Sequence, residues 1–156
     1  MPSTSILSES CARIVAQFLV DEGVGGFRTN VTRTEPDWLI AVGVNPDEPA
    51  DMIAVTDGPV WKDDGRLLAT GEHIVHPGVQ IRARSESRDT AYQKLTVVKE
   101  LLQSVSREQV MIGEKEFRLD NVSPVSHVMY IGNDPGTDRP TFVFNTYVTA
   151  KEIIDG

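Results

Sequence analysis

The sequence lacks the long apolar segments that would place it in a membrane. Its longest apolar runs, such as residues 38–44, span only a few positions, whereas a helix that crosses a bilayer needs roughly 20. The first five residues carry neither positive charge nor an apolar stretch, so no secretory leader is expected. These absences predict synthesis in the cytoplasm and no membrane partner.

Positive charge and cysteine are also scarce. The chain has 15 lysines and arginines against 23 acids, a formal net charge of −8. Tight binding to nucleic acid needs a basic surface that displaces counterions from phosphates, so a DNA-gripping role is not expected. An acidic wall could instead let DNA slide past, because like charges repel. The one cysteine, Cys11, cannot form an internal disulfide, and its place on an apolar helix face indicates a buried side chain rather than a nucleophile.

Residues that could carry catalysis are few and scattered. Two of the three histidines, His73 and His76, lie in a segment that looks extended, where this spacing points the rings to opposite faces and disfavours a metal site. The third, His127, alternates with apolar residues and suits a hydrogen-bonded position on a sheet. The glycines at 23–26 follow a helix, whereas phosphate-cradling loops open one. We therefore predict no catalytic, cofactor-binding or metal residue, and no enzyme.

Two amphipathic helices are predicted. Apolar positions recur at spacings of three and four over residues 3–21, with Ser3 or Ser5 as the N-cap and Gly23 as the closing residue. A second helix should begin after Ser87, with Asp89 in its first turn. The positions expected to form its buried stripe are Ala91, Leu95, Val98, Leu102 and Val105.

Strands are predicted at residues 38–44, 51–55, 79–85, 116–122, 125–131 and 141–150, where β-branched or alternating apolar residues are bounded by turn residues. The short link between the first two favours a hairpin or a meander. The predicted fold class is α+β, with a mainly antiparallel sheet of about five or six strands and two helices packed on one face. We expect residues 1–156 to form a single domain.

Residues 56–77 are too apolar for a solvated loop and too interrupted for a core element, so they predict an extended arm or hairpin that meets another subunit. Its interface candidates are Trp61, Leu67, Leu68 and Ile74. Arg82 and Arg84 alternate on what should be the solvent face of the next strand, where either charge pairing within the chain or a salt bridge to a neighbour would explain them. The acidic candidates for facing a DNA channel are Asp57, Asp63 and Asp64.

Two passages carry further signatures. The first is Pro77-Gly78-Val79-Gln80-Ile81-Arg82-Ala83-Arg84, followed by Ala91-Tyr92 and Leu101-Leu102. The second is Ser123-Pro124, Tyr130-Ile131-Gly132-Asn133-Asp134, Arg139-Pro140 and Asn145-Thr146-Tyr147. In both, the chain resembles the tail-terminator or minor capsid family of tailed bacteriophages: a Val-Gln-x-Arg strand before a helix with Ala-Tyr near its start, and a closing Gly-Asp turn, arginine and asparagine-centred strand. With the first helix, the resemblance covers most of the chain.

The resemblance implies a structural virion protein at the head-proximal end of the tail. Such a subunit caps the tail tube as a ring, commonly a hexamer, stops tube polymerisation and offers its other face to the head. The implied partners are further copies of the chain, the tail tube protein and the head-tail connector protein, while DNA passes through without specific binding. A head-to-tail connector completion protein, a small enzyme and an adaptor or ligand-binding dimer are the alternatives. A ring needs two unlike patches on each subunit, whereas a dimer needs one self-complementary patch.

Overall fold

Two helices and seven strands occupy the residues that the computed structural model describes, which are 7–27, 38–67 and 73–154, with the backbone alone described for 59–67 and 73–76. In chain order the elements are α1 (Cys11–Asp21), β1 (Leu39–Val42), β2 (Met52–Leu67), β3 (His73–Arg84), α2 (Arg88–Gln103), β4 (Glu108–Ile112), β5 (Lys115–Pro124), β6 (Met129–Asn133) and β7 (Pro140–Ile153).

The strands form one sheet in the order β1-β2-β3-β7-β5-β4, and β6 also pairs with β7. The long strand β7 holds the sheet together: residues 141–147 pair with β3, whereas residues 146–153 pair with β5 and residues 140–143 border β6. Every pair is antiparallel except β1 with β2. With the two helices, this confirms the predicted α+β class with a mainly antiparallel sheet.

The predicted hairpin between the first two strands is wrong. β1 and β2 run parallel, with Leu39 opposite Met52 and Val42 opposite Val55. Residues 43–51 connect them, and a chain of that length can extend about 30 Å. A four-residue strand spans only about 13 Å, so the loop can return to the starting end of β1. The length of this connection therefore does not determine the strand direction.

Helix α1 begins later than predicted. Its N-cap is Ser10, whose hydroxyl accepts a hydrogen bond from the backbone N–H of Arg13, and the predicted caps Ser3 and Ser5 lie outside the described residues. Leu7 precedes the helix but still packs against the core. The closing glycine is confirmed, because Gly23 has a φ of +80°, which favours a residue without a Cβ. Helix α2 begins after Ser87 with Asp89 in its first turn, as predicted.

Both helices pack against the same face of the sheet. The buried stripe of α2 is as predicted at Ala91, Leu95, Val98 and Leu102, while Val105 is buried just beyond the helix end. From the sheet, the largest buried side chains of this core include Ile40, Ile53, Ile81, Phe117, Leu119 and Phe144. Burying each large apolar side chain contributes about 1.5–3 kcal/mol, so this face supplies most of the stability. A smaller cluster of Leu39, Ala41, Met52 and Ala54 is buried on the other face.

The two longest neighbouring strands continue past the rest of the sheet as a hairpin. β2 and β3 pair from Met52 opposite Arg84 to Leu67 opposite His73, with register shifts after Asp57 and Asp63. β1 accompanies β2 only as far as Val55, and β7 accompanies β3 only as far as Gly78. Beyond these points the two strands are paired with each other, and their outer edges meet no other strand among the described residues. We call the paired segments 58–67 and 73–77 the hairpin arm.

Candidate assembly surface

A buried arginine joins three segments of the chain at one end of the sheet. Arg84 is 1% exposed. Its Nη1 donates to Asp134 Oδ2 at 2.8 Å, and its Nη2 donates to the carbonyl oxygens of Asp47 and Pro49 at 3.0 and 2.9 Å. The prediction that Arg84 lies on a solvent face is therefore wrong, because the β1–β2 loop and the β6–β7 turn fold over it. Its guanidinium is engaged within its own chain and has no surface to offer a neighbour.

The turn between β6 and β7 is held by the same network. Asp134 Oδ1 accepts a hydrogen bond from the backbone N–H of Gly136 at 3.0 Å. This bond, together with the guanidinium of Arg84, keeps the pKa of the Asp134 carboxyl below its ordinary value. From the other side of the turn, Arg139 donates to the carbonyl oxygen of Asp47 at 2.7 Å and pairs with Glu48 and Glu86. The end of β6 is thereby fixed against the β1–β2 loop.

The sheet face opposite the helices carries a row of polar side chains. Arg82 is partly exposed, and its Nε donates to Gln80 Oε1 at 3.0 Å. Gln80 Nε2 in turn donates to Asn145 Oδ1 on β7 at 3.1 Å. No acid among the described residues forms an ion pair with Arg82. The guanidinium borders a shallow pocket of about 160 Å³, whose other lining includes Asn45, Ile131, Asn133 and Thr141.

Beside this pocket, β6 presents an exposed apolar edge. Met129, Tyr130 and Ile131 are 41%, 42% and 48% exposed. β6 pairs with β7 on one side, and its other side meets no strand among residues 7–27, 38–67 and 73–154. A bulge interrupts the pairing between Tyr130 and Asn133, at Gly132 with a φ of +99°. Apolar edge strands tend to associate with other chains unless something covers them.

An aromatic cluster supports β6 on the helix side. The rings of Tyr130 and Phe142 lie 5.3 Å apart between centroids, and those of Tyr92 and Phe142 lie 5.5 Å apart. The Arg88 guanidinium lies over the Tyr130 ring, 4.4 Å from its centroid. Arginines therefore flank β6 on both faces of the sheet. We call Met129, Tyr130, Ile131, Arg82 and Arg88 the β6 surface.

Residues 19–144 match the family model described as bacteriophage tail terminator protein. The chain belongs to this family. The match extends from the last three residues of α1 into β7, and it includes the hairpin arm, Arg84 and the whole of β6. This tail terminator is thus a structural phage tail protein and a virion component, whose partners are other tail and head proteins. No curated protein matches the chain significantly.

The other residues predicted for assembly fall in two groups. Arg82 is partly exposed in the tail terminator, and its contact with a neighbour stays a prediction. In the hairpin arm and its continuation, Leu68 lies outside the described residues, as do the side chains of Trp61, Leu67, Ile74, Asp63 and Asp64.

Asp57 has a local structural role that the sequence pattern did not indicate. Its Oδ1 accepts a hydrogen bond from the backbone N–H of Ala12 at 3.1 Å, so it satisfies one of the free donors in the first turn of α1. Asp57 also lies near Cys11. Burial is the main cause that raises the pKa of the Cys11 thiol to about 11, and the negative charge of Asp57 adds to this increase. Whether Asp57 also faces a channel stays a prediction.

The sequence did not predict that the β6 surface adjoins the Arg84 network. The sequence singled out Arg82 and the turn at 132–136, but only tertiary contacts reveal that they adjoin one edge strand. Among the described residues, no group of three histidine, cysteine or acidic side chains lies close enough to hold a metal ion. Neither described helix has the length and apolar character that crossing a membrane requires.

Proposed function

We propose that this tail terminator forms a closed ring, a hexamer, at the head-proximal end of the phage tail. The ring caps the completed tail tube, stops its polymerisation and gives the head-tail connector protein a surface to bind. The observation that carries this proposal is the match to the tail terminator family over residues 19–144. In this proposal each subunit is one domain of residues 1–156.

The subunit has two unlike patches, and this difference supports a ring over a two-fold dimer. A ring is built from heterologous contacts, in which one patch meets a different patch on the next copy. The hairpin arm and the β6 surface are two such unlike patches. Of the interface candidates, Arg82 lies on the second, while Trp61, Leu67, Leu68 and Ile74 belong in sequence to the hairpin arm or its immediate continuation.

The proposed role is structural and involves no chemical reaction. We assign the chain no catalytic role, in keeping with a family of structural phage proteins. Its contribution would be shape and contact area: one ring face complementary to the tube end and the other complementary to the connector.

The net charge of −8 suits a ring through which DNA passes without specific binding. We propose that Asp63 and Asp64 face the channel. Substitution of Asp57 would test this idea less cleanly, because its carboxylate caps α1 and its loss would also disturb the fold. A reconstituted particle with Asp63→Lys and Asp64→Lys should form a ring but deliver DNA less efficiently. Unchanged delivery would refute the channel role.

The ring proposal is tested by adding the purified chain to polymerising tail tube protein. Negative-stain imaging should then reveal shorter tubes with a density at one end, and native mass spectrometry should detect rings of six 17.2 kDa subunits, either free or bound to tubes. Tubes that elongate unchanged would contradict the proposal. Binding to the connector protein alone would instead favour a connector completion protein, and a two-fold dimer without tube binding would favour an adaptor.

A further inference from the structure

We propose that the shallow pocket beside β6 is a carboxylate site, and that in the ring it receives an aspartate or glutamate side chain of the next copy. This inference rests on the proposed ring and deepens it, because it names the chemistry by which the β6 surface binds its neighbour. Arg82 lines one side of the pocket, and Ile131 and Asn133 line another at the end of β6.

Arg82 is oriented by two hydrogen bonds along the row of polar side chains. Its Nε donates to Gln80 Oε1 at 3.0 Å, and Gln80 Nε2 donates to Asn145 Oδ1 at 3.1 Å. The two Nη groups of Arg82 donate to no side chain or carbonyl among the described residues. A guanidinium held through its Nε presents these two groups as a fork, and the fork matches the two oxygens of a carboxylate.

The charge balance of the pocket favours an anion. Asp134 is the one acid among the described lining residues, and Arg84 already pairs with its carboxylate at 2.8 Å. The positive charge of Arg82 is therefore left without an ion-pair partner in the described part of the chain. Asn45 and Thr141 add polar groups to the lining. A partly buried guanidinium in this state gains more from a charged acceptor than from a neutral one.

The size of the pocket suits one side chain rather than a free ligand. Its volume is about 160 Å³, whereas pockets for small-molecule ligands usually enclose about 300–1,000 Å³. An acidic side chain that projects from another protein needs less room, because the rest of that protein stays outside. Met129 and Ile131, each more than two-fifths exposed, offer apolar contacts to it. A protein carboxylate therefore fits better than a DNA phosphate, which the net charge of −8 also repels.

The next copy can supply the carboxylate. In the described part of the chain, several exposed acids have side chains without an ion pair or hydrogen bond, among them Glu100, Glu108 and Glu114. Through β5, Glu108 is level with Ala150 of β7, whereas Arg82 lies opposite Val143. At about 3.3 Å per residue, these two positions of β7 are roughly 23 Å apart. An acid so placed cannot reach its own pocket but can reach that of another copy, as a heterologous contact requires.

Substitution of Arg82 tests the site in assembled rings. Arg82→Gln removes the charge and should weaken ring assembly at least tenfold in native mass spectrometry. Arg82→Lys keeps the charge without the fork and should weaken assembly as well. The matched control is Arg118→Gln, because Arg118 is also partly exposed but pairs with Asp120 of its own strand. This control should assemble as the wild type does, and circular dichroism verifies that every variant is folded.

A charge-reversal scan tests whether the occupant is a carboxylate of the next copy. Arg82→Glu should abolish the rings. Replacement of the exposed acids by lysine, one at a time in that background, should restore rings at one position, because the two charges are then exchanged across the contact. The restoring position identifies the acid that enters the pocket. Failure of every position to restore rings would overturn the inference.

Two further comparisons separate the remaining outcomes. A short DNA duplex should bind Arg82→Gln no more weakly than the wild type. Weaker duplex binding together with unchanged rings would identify a phosphate as the ligand and contradict the proposed carboxylate. Wild-type rings together with full assembly of Arg82→Gln would refute the role of the pocket and leave the ring standing. If the wild type forms no ring alone or on tubes, the proposed function itself fails, and this inference fails with it.

Discussion

Removal of the Arg84 guanidinium should destabilise the subunit far more than removal of an exposed ion pair. In Arg84→Met the apolar stem is largely kept, but the Asp134 carboxylate, whose side chain is 9% exposed, loses its charged partner. The carbonyl oxygens of Asp47 and Pro49 lose a donor as well. Removing one member of a buried pair costs about 3–5 kcal/mol, because the remaining charge is buried without compensation.

This magnitude corresponds to a large change in melting temperature. For a chain of this size, about 1 kcal/mol lowers the melting temperature by roughly 2–4 °C, so Arg84→Met should melt about 6–20 °C below the wild type. Asp134 keeps its hydrogen bond from Gly136, which places the expected value towards the lower end of that range. Urea unfolding followed by circular dichroism gives the free energy directly. Measurements belong at concentrations where subunits are separate, because association raises the apparent stability.

The matched control is Lys115→Met, which breaks the exposed pair of Lys115 with Glu9. Exposed pairs contribute about 0–1 kcal/mol, so this variant should melt within a few degrees of the wild type. In a double-mutant cycle, Arg84→Met with Asp134→Asn should cost less than the sum of the single substitutions by about 1–3 kcal/mol. Equal stability of Arg84→Met and Lys115→Met would refute the reasoning, since the buried network would then contribute no more than a surface contact.

Three further outcomes are expected. Gly136 and Arg84 lower the pKa of Asp134, so its contribution to the free energy of unfolding is present above the ordinary carboxyl pKa and is lost as the pH falls below about 4. Urea titrations should find that the free energy of unfolding falls more steeply with acid in the wild type than in Asp134→Asn. Asp57→Ala should lower the free energy of unfolding by about 1 kcal/mol through loss of the α1 cap, and unchanged stability in denaturant would contradict that role. The Cys11 thiol, with its pKa raised to about 11, should react with a thiol reagent much faster in urea than in the folded protein, and equal rates would contradict its burial.

The helices could be predicted because their signals are local. Leu95, Val98 and Leu102 follow the three- and four-residue spacing of a helix. The N-cap Ser87 accepts a hydrogen bond from the backbone N–H of Thr90, only three residues later. β4 was not predicted because it lacks such a local signal: only Val110 of its five residues is fully buried, and the strand has no alternating pattern. A short strand with a single buried residue carries little periodic signal.

The Arg84 network and the parallel β1–β2 pair could not be predicted because both depend on contacts between distant segments. Alternation with Ile81 and Ala83 correctly placed Arg84 on the face opposite the helices. It could not reveal that Asp134, fifty positions later, and the carbonyl of Pro49, thirty-five positions earlier, converge over that face. Local patterns assign a side chain to a face of the sheet, and the loops then decide whether that face is exposed.

The edge strands β4 and β6 differ in a way that bears on assembly. β4 carries Glu108 and Gln109 at two of its three exposed positions, the third being Met111, and charged or polar residues at an edge discourage pairing with another chain. β6 exposes Met129, Tyr130 and Ile131 consecutively instead, although a substitution to lysine at Met129 or Ile131 would protect it. A monomer gains nothing from an unprotected apolar edge. A ring subunit requires one, because closure around an axis depends on an edge that stays open until the next copy covers it.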